Sequence, residues 1–241
     1  MERTKRIAAF ITFFICIIAL ALLTGSLTTN KWITSKPERI RLNNVPDHIR
    51  NQSVQSDERK FKGDIHFGLF HGTKILNYGF GDRTNSIWIK EELMKNPSLM
   101  PFGLWLFTIL SVAIAMLFGL VSLIFSIINT VITPIEVITG LRGLLLWNGF
   151  GVLFSGAACL SWFIQFRNKL SRNVLTQEEI NDGWSSENRS KLGYSYYLVL
   201  VSMGLFFLNK FIILLAVKRP RFRGKSRLST DKNPEGVIML Y

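Results

Sequence analysis

At residues 102–128 the sequence reads FGLWLFTILSVAIAMLFGLVSLIFSII, a run without a single charge. No Asp, Glu, Lys or Arg occurs anywhere between Lys95 and Glu136. As an α-helix the run is about 40 Å long at about 1.5 Å per residue, more than the roughly 30 Å of bilayer hydrocarbon. A helix that is apolar on every side offers no face to water. The run is therefore predicted to cross a membrane, with the span drawn at residues 101–128.

Working outward, similar apolar blocks recur at residues 7–29, 144–166 and 194–217. The fold class that follows is an all-α membrane protein, a bundle of four transmembrane helices. The connecting segments are a short basic N-terminus (1–6), a long polar loop (30–100), a short connection (129–143), a second polar loop (167–193) and a basic tail (218–241). The first block also fits a secretory signal, with its basic start and apolar run. The run is long for a signal, and LLTGSL at 22–27 is a poor cleavage site, so an uncleaved anchor is expected.

The net charge of +13 has three candidate meanings: nucleic acid, membrane surface or topology. The basic residues cluster beside the first and last spans rather than on one soluble face. That pattern points to cytoplasmic termini and anionic lipid at the tail, not to nucleic acid. The long first loop is also basic, but long loops translocate largely regardless of charge. With both termini inside, two glycosylation sequons, at Asn51 and Asn188, fall outside.

Within the first loop, residues 64–70 (DIHFGLF) alternate, with Ile65, Phe67 and Leu69 on one side and His66, Gly68 and Phe70 on the other. That is the period of a strand. The turn residues of NYGFGDR at 77–83 follow. A small extracellular β-sheet is expected.

Chemistry is sparse. Both cysteines, Cys16 and Cys159, lie inside spans, which excludes an extracellular disulfide framework. His66 and His71, five apart on one presumed strand, would face opposite ways, so no metal site is expected. No P-loop, nucleophile elbow or HExxH pattern occurs, and no span carries a carboxylate. No catalytic residue and no cofactor are expected. Lys210 is the one charge well inside a span. It is expected to snorkel toward the cytoplasmic headgroups, with transport as the competing role. Small residues four apart (Ser111, Ala115, Gly119; Gly151, Ser155; Ala21, Gly25) are expected to let helices pack closely within the chain. The final residues Met239, Leu240 and Tyr241 form a candidate docking motif for the sheet edge of a PDZ-type protein.

Four spans, a large first outer loop and the stretch Gly68-Leu69-Phe70-His71-Gly72 together resemble the clarin family, distant relatives of the claudins. Trp32-Ile33-Thr34-Ser35, Trp147-Asn148-Gly149, the Tyr194–Leu198 opening of the fourth span and the Leu240-Tyr241 ending also fit. Within that family the chain is most similar to the third paralogue, which also lacks the loop cysteine; here Tyr78-Gly79-Phe80-Gly81 stands in the Cys-Gly-Leu-Gly position. The resemblance implies a claudin-like multi-pass protein at the plasma membrane. It would act as a membrane organiser or accessory subunit for membrane or cytoskeleton-linked proteins. The alternative is a channel or transporter component.

Overall fold

The computed structural model describes residues 3–39, 61–131 and 140–218. Four long helices dominate: α1 (Arg3–Thr28), α3 (Phe102–Val131), α4 (Leu141–Gln165) and α6 (Tyr194–Lys218). Each is long and apolar enough to cross a membrane. They pack in the cyclic order α1, α3, α4, α6, so every neighbour runs antiparallel. Pro101 precedes α3, where its missing N–H is no loss, and its carbonyl accepts from Trp105 N at 3.1 Å.

The helices outrun the predicted spans. α1 begins at Arg3, α3 continues to Val131, and a π-helical turn, Phe166–Leu170, extends α4. The basic residues of the first turn and the polar Asn129 and Thr130 continue the helical backbone past the apolar run, because helix formation does not stop where hydropathy does.

Inside each helix the buried residues are spaced alternately by three and four. In α1 they include Ala9, Thr12, Cys16, Ala19, Leu23 and Ser26; in α3, Trp105, Thr108, Val112, Ala115, Gly119, Ser122, Ser126 and Asn129. In α4 they include Leu144, Asn148, Gly151, Ser155, Ala158, Trp162 and Gln165; in α6, Ser195, Val199, Ser202, Phe206, Asn209, Ile213 and Ala216. This is the seam of a left-handed four-helix bundle. The large apolar residues, among them Phe107, Leu117, Leu153 and Phe207, face outward, as lipid requires. The stripes through Gly119 and Gly151 turn inward and make room for the Phe206 ring, which a Cβ on either glycine would meet at 3.0 Å. The Ala21–Gly25 pair does not behave this way. Ala21 is exposed and Gly25 half-buried, because the seam of α1 runs through Ala19, Leu23 and Ser26.

At one end of the bundle sits the expected sheet. Its strands are β1 (Ile33–Ser35), β3 (Gly63–Phe67), β4 (His71–Asn77), β5 (Asp82–Trp88) and β7 (Ser190–Leu192). They pair antiparallel in the order β5-β4-β3-β1-β7. A second small pair joins β2 (Glu38–Arg39) to β6 (Trp184–Ser185). Two short helices, α2 (Ile89–Lys95) and α5 (Gln177–Asn181), complete this end. Because β1 pairs with β7, described parts of the two long loops join in one sheet across more than 150 residues of chain, with Ser190 Oγ donating to Ser35 Oγ at 3.0 Å.

The strand expected at 64–70 ends early. β3 stops at Phe67, and Gly68, Leu69 and Phe70 turn the chain into β4. The inward set is nevertheless the expected one, since Ile65, Phe67 and Leu69 are all buried. Gly68 N donates to His71 O at 2.9 Å and closes the turn. His66 and His71 therefore lie on neighbouring strands. The register His66↔Thr73 puts both on the same face of the sheet, correcting the opposite-face expectation. No group of three ligating side chains gathers there among the described residues.

Candidate functional site

The bundle axis holds a polar layer to which each spanning helix contributes one side chain. Asn209 of α6 donates from Nδ2 to Asn148 Oδ1 of α4 at 3.2 Å and to Cys16 Sγ of α1 at 3.3 Å. Asn148 Nδ2 in turn donates to Ser122 Oγ of α3 at 2.6 Å and to the Leu144 carbonyl at 2.8 Å. The Cys16 thiol lies 3.5 Å from Ser122 Oγ. All four side chains are excluded from the surface.

Polar bonds outside this layer also stitch three of the four neighbouring pairs of helices. Ser126 Oγ donates to the Ala9 carbonyl between α3 and α1. Ser202 Oγ donates to Ala19 O at 3.1 Å, and Ser26 Oγ to Ser195 O at 2.9 Å, between α1 and α6. Thr108, Ser161 and Gln165 join α3 to α4. In lipid there is no hydrophobic force between helices, so small-residue packing and such bonds, about 0.6 kcal/mol each on average, must hold the bundle. Sequence reasoning noticed Cys16 and Asn148 singly. The signal it missed was that Cys16, Ser122, Asn148 and Asn209 all fall on their helices' three-four seams.

Where the bundle meets the sheet, aromatic anchors fix the joint. Trp32 is fully buried, donates from Nε1 to Ser26 O at 2.8 Å, and meets Trp162 edge-on with ring centroids 5.0 Å apart. Trp105 Nε1 donates to Leu69 O at 2.8 Å, tying the GLFHG turn to the top of α3. The glycines of that motif are dictated by close approach. A Cβ on Gly68 would sit 2.5 Å from Thr29 O, and one on Gly72 only 2.2 Å from Phe67 Cβ.

The second loop is locked to the first by charge. Lys74 Nζ, on the buried face of β4, bonds both carboxylate oxygens of Glu179 at 2.9 and 3.0 Å. Glu179 also completes a capping box with Thr176 at the start of α5. Arg189 pairs with Glu38. Burial, and after it the carboxylates of Glu179 and Asp182, push the Tyr78 phenol above its usual range, so it packs as a neutral ring against Trp184, centroids 5.5 Å apart.

On the opposite side, β5 pairs only with β4 among the described residues, and its side chains are exposed. Phe80, at the tip of the β4–β5 turn, is 95% exposed, and Trp88 at the other end is 61% exposed.

Of the residues singled out by sequence, Asn188 is exposed on a turn with φ +57°, a conformation asparagine tolerates. Lys210 is half-buried. Its stem crosses toward α4, where a Cβ on Gly149 would lie 3.9 Å from its ammonium. Asn51, Met239, Leu240 and Tyr241 lie outside the described residues. The layer, the charge lock and the exposed strand form a scaffold with a presented edge; no nucleophile–base pair or ligand cluster stands out among them.

Comparison with known proteins follows this geometry. Residues 4–213 match the family model described as Clarin-2-like. Clarin-2 of Homo sapiens is 32% identical over 123 residues, 50% of this chain and 52% of that protein. Clarin-3 of Mus musculus is 25% identical over 230 residues, 93% of this chain and 92% of that protein. Clarin-3 of Homo sapiens aligns over 100% of both chains at 24% identity. The match to Clarin-2 thus spans about half or less of that protein, 52% in human and 41% in mouse, whereas Clarin-3 is matched end to end.

Proposed function

The chain belongs to the Clarin-2-like family, and from that membership we propose that this multi-pass membrane protein is a non-enzymatic membrane organiser or accessory subunit. Its place is the plasma membrane, with both termini cytoplasmic and the sheet outside. The ectodomain contacts a neighbouring membrane protein. The cytoplasmic tail faces anionic lipid and cytoskeleton-linked or PDZ-type partners. The observation that carries this role is β5, a sheet edge that pairs only with β4 among the described residues and follows a turn whose Phe80 is 95% exposed to solvent. An edge of this kind accepts an added strand, and large exposed apolar side chains mark contact surfaces.

Proximity labelling from the ectodomain in native cells tests the role. The expected result is a small set of membrane neighbours that is lost on Phe80→Asp with Trp88→Arg, both surface changes, while delivery to the surface is kept. An unchanged set of neighbours contradicts it. The orientation is tested separately by removal of N-glycans. Asn188, exposed on its turn, is expected to carry one, and Asn188→Gln removes the corresponding gel shift. Epitopes on the termini that can be detected on intact cells would reverse the orientation.

The second role, a channel or transporter component, is favoured by the polar side chains along the bundle axis. Those of the central layer are fully buried and bridge all four helices, with only Asn209 Oδ1 of the layer left without a partner among the described residues, and this burial supports a closed scaffold instead.

A further inference from the structure

At the end of the bundle opposite the sheet, a groove of about 480 Å³ opens on the outer face between α4 and α6. It is lined by Arg142, Leu145, Leu146, Gly149, Phe150, Leu153 and Lys210. The six α4 residues fall at positions i, i+3, i+4, i+7, i+8 and i+11, one continuous face of the helix. That face is graded. Its shallow end is the Arg142 guanidinium, in the first turn of α4. Lys210 lies against Gly149, about 10 Å further in at about 1.5 Å per residue. Leu146, 49% exposed, lies between the two cations, and the deep end beyond Gly149 is apolar, with Phe150 and a Leu153 60% exposed on the outside of the bundle.

We propose that this groove binds one anionic phospholipid from the leaflet on the side of the chain termini. The headgroup phosphate lies between the Arg142 guanidinium above and the Lys210 ammonium below, and an acyl chain runs along Leu146, Phe150 and Leu153. The charge complementarity is specific. The headgroup layer is about 5–8 Å deep, so Arg142 sits among headgroups and Lys210 just beneath them. A lysine at that depth needs an anion, and among the described residues no carboxylate pairs with Lys210 or Arg142. The Lys210 ammonium lies over the α4 backbone here, at ordinary contact distance (3.9 Å) from where a Cβ on Gly149 would be. Arg142 adds a planar fork suited to phosphate. Basic pockets between spanning helices hold such headgroups. This inference rests on the chain spanning a bilayer and not on the organiser role.

Full-length protein in mild detergent, titrated in parallel with phosphatidylserine and phosphatidylcholine and weighed intact by native mass spectrometry, tests it. The expected result is one phosphatidylserine bound in preference to phosphatidylcholine. Arg142→Gln with Lys210→Met should weaken that binding about thirtyfold, about fivefold for each cation. Gly149→Leu keeps both charges but fills the groove, and should weaken it comparably. Neutralising Arg219, Arg221, Arg223, Lys225 and Arg227 in the tail should leave it intact. Equal binding of both lipids, a preference that survives either groove variant, or its loss in the tail variant overturns the proposal.

Discussion

Gly72 fixes the β3–β4 hairpin by close approach. It lies opposite Phe67 in the β3–β4 register, and a methyl there would meet Phe67 Cβ at 2.2 Å and His66 O at 2.7 Å. Neither neighbour is the free end of a flexible chain, so the hairpin itself must move. Gly72→Ala is expected to cost about 3 kcal/mol, the upper range for overpacking a core. It should lower the thermal midpoint in detergent and reduce surface delivery. Gly103→Ala, where nothing lies within 4 Å, should leave both unchanged or slightly improved. Equal behaviour of the two variants would contradict the close-approach account. The same scale governs the polar layer. Asn148→Ala strands the Asn209 amide and the Ser122 hydroxyl, losing two interhelical bonds at 3.2 and 2.6 Å. A loss of about 1–2 kcal/mol is expected. A double-mutant cycle of Asn148→Ala with Asn209→Ala should return a coupling of about 0.6 kcal/mol. A coupling of zero would mean the two amides only share space.

Among the elements, β4 is the one on which both loops depend. Its Lys74 is 7% and Glu179 13% exposed at the side chain, so neither charge can fall back on water. Lys74→Met leaves a carboxylate buried and unpaired and is expected to destabilise the sheet end of the molecule by about 3–5 kcal/mol. Adding Glu179→Gln removes that charge while keeping an acceptor for Thr176 N, so protease resistance of the second loop should largely return. If the double variant is as sensitive as the single one, the pair is not the lock. This is also the scale at which sequence and structure part. The spanning helices were legible because twenty apolar residues in a row admit few other folds. The inward face Ile65, Phe67, Leu69 was legible because alternation survives where the strand ends. β5 was not, since DRTNSIW is an exposed edge with no apolar alternation to read. The β1–β7 pair joins segments more than 150 residues apart, and local pattern holds no trace of such a partner. The polar layer was half legible. Cys16 and Asn148 stood out in their own spans, Ser122 did not, and their meeting depends on the rotation of all four helices at once.

For the molecule as a whole, the four seams and the cyclic packing make a bundle whose axis is filled by its own side chains, capped at one end by the Trp32–Trp162 contact under the sheet. The scaffold we propose presents surfaces at its two ends, the β5 edge of the sheet and the Arg142–Lys210 groove toward the termini, and keeps its axis closed. Cys16 is placed to report on that claim, since it is native, fully buried and a member of the central layer. The measurement is the rate at which a charged, water-borne thiol reagent modifies Cys16 in intact membranes, from either side, in a Cys159→Ala background. A closed bundle predicts no modification until the protein is denatured. Rapid modification of the folded protein would mean that water reaches the axis, and would contradict the scaffold in favour of a conducting path.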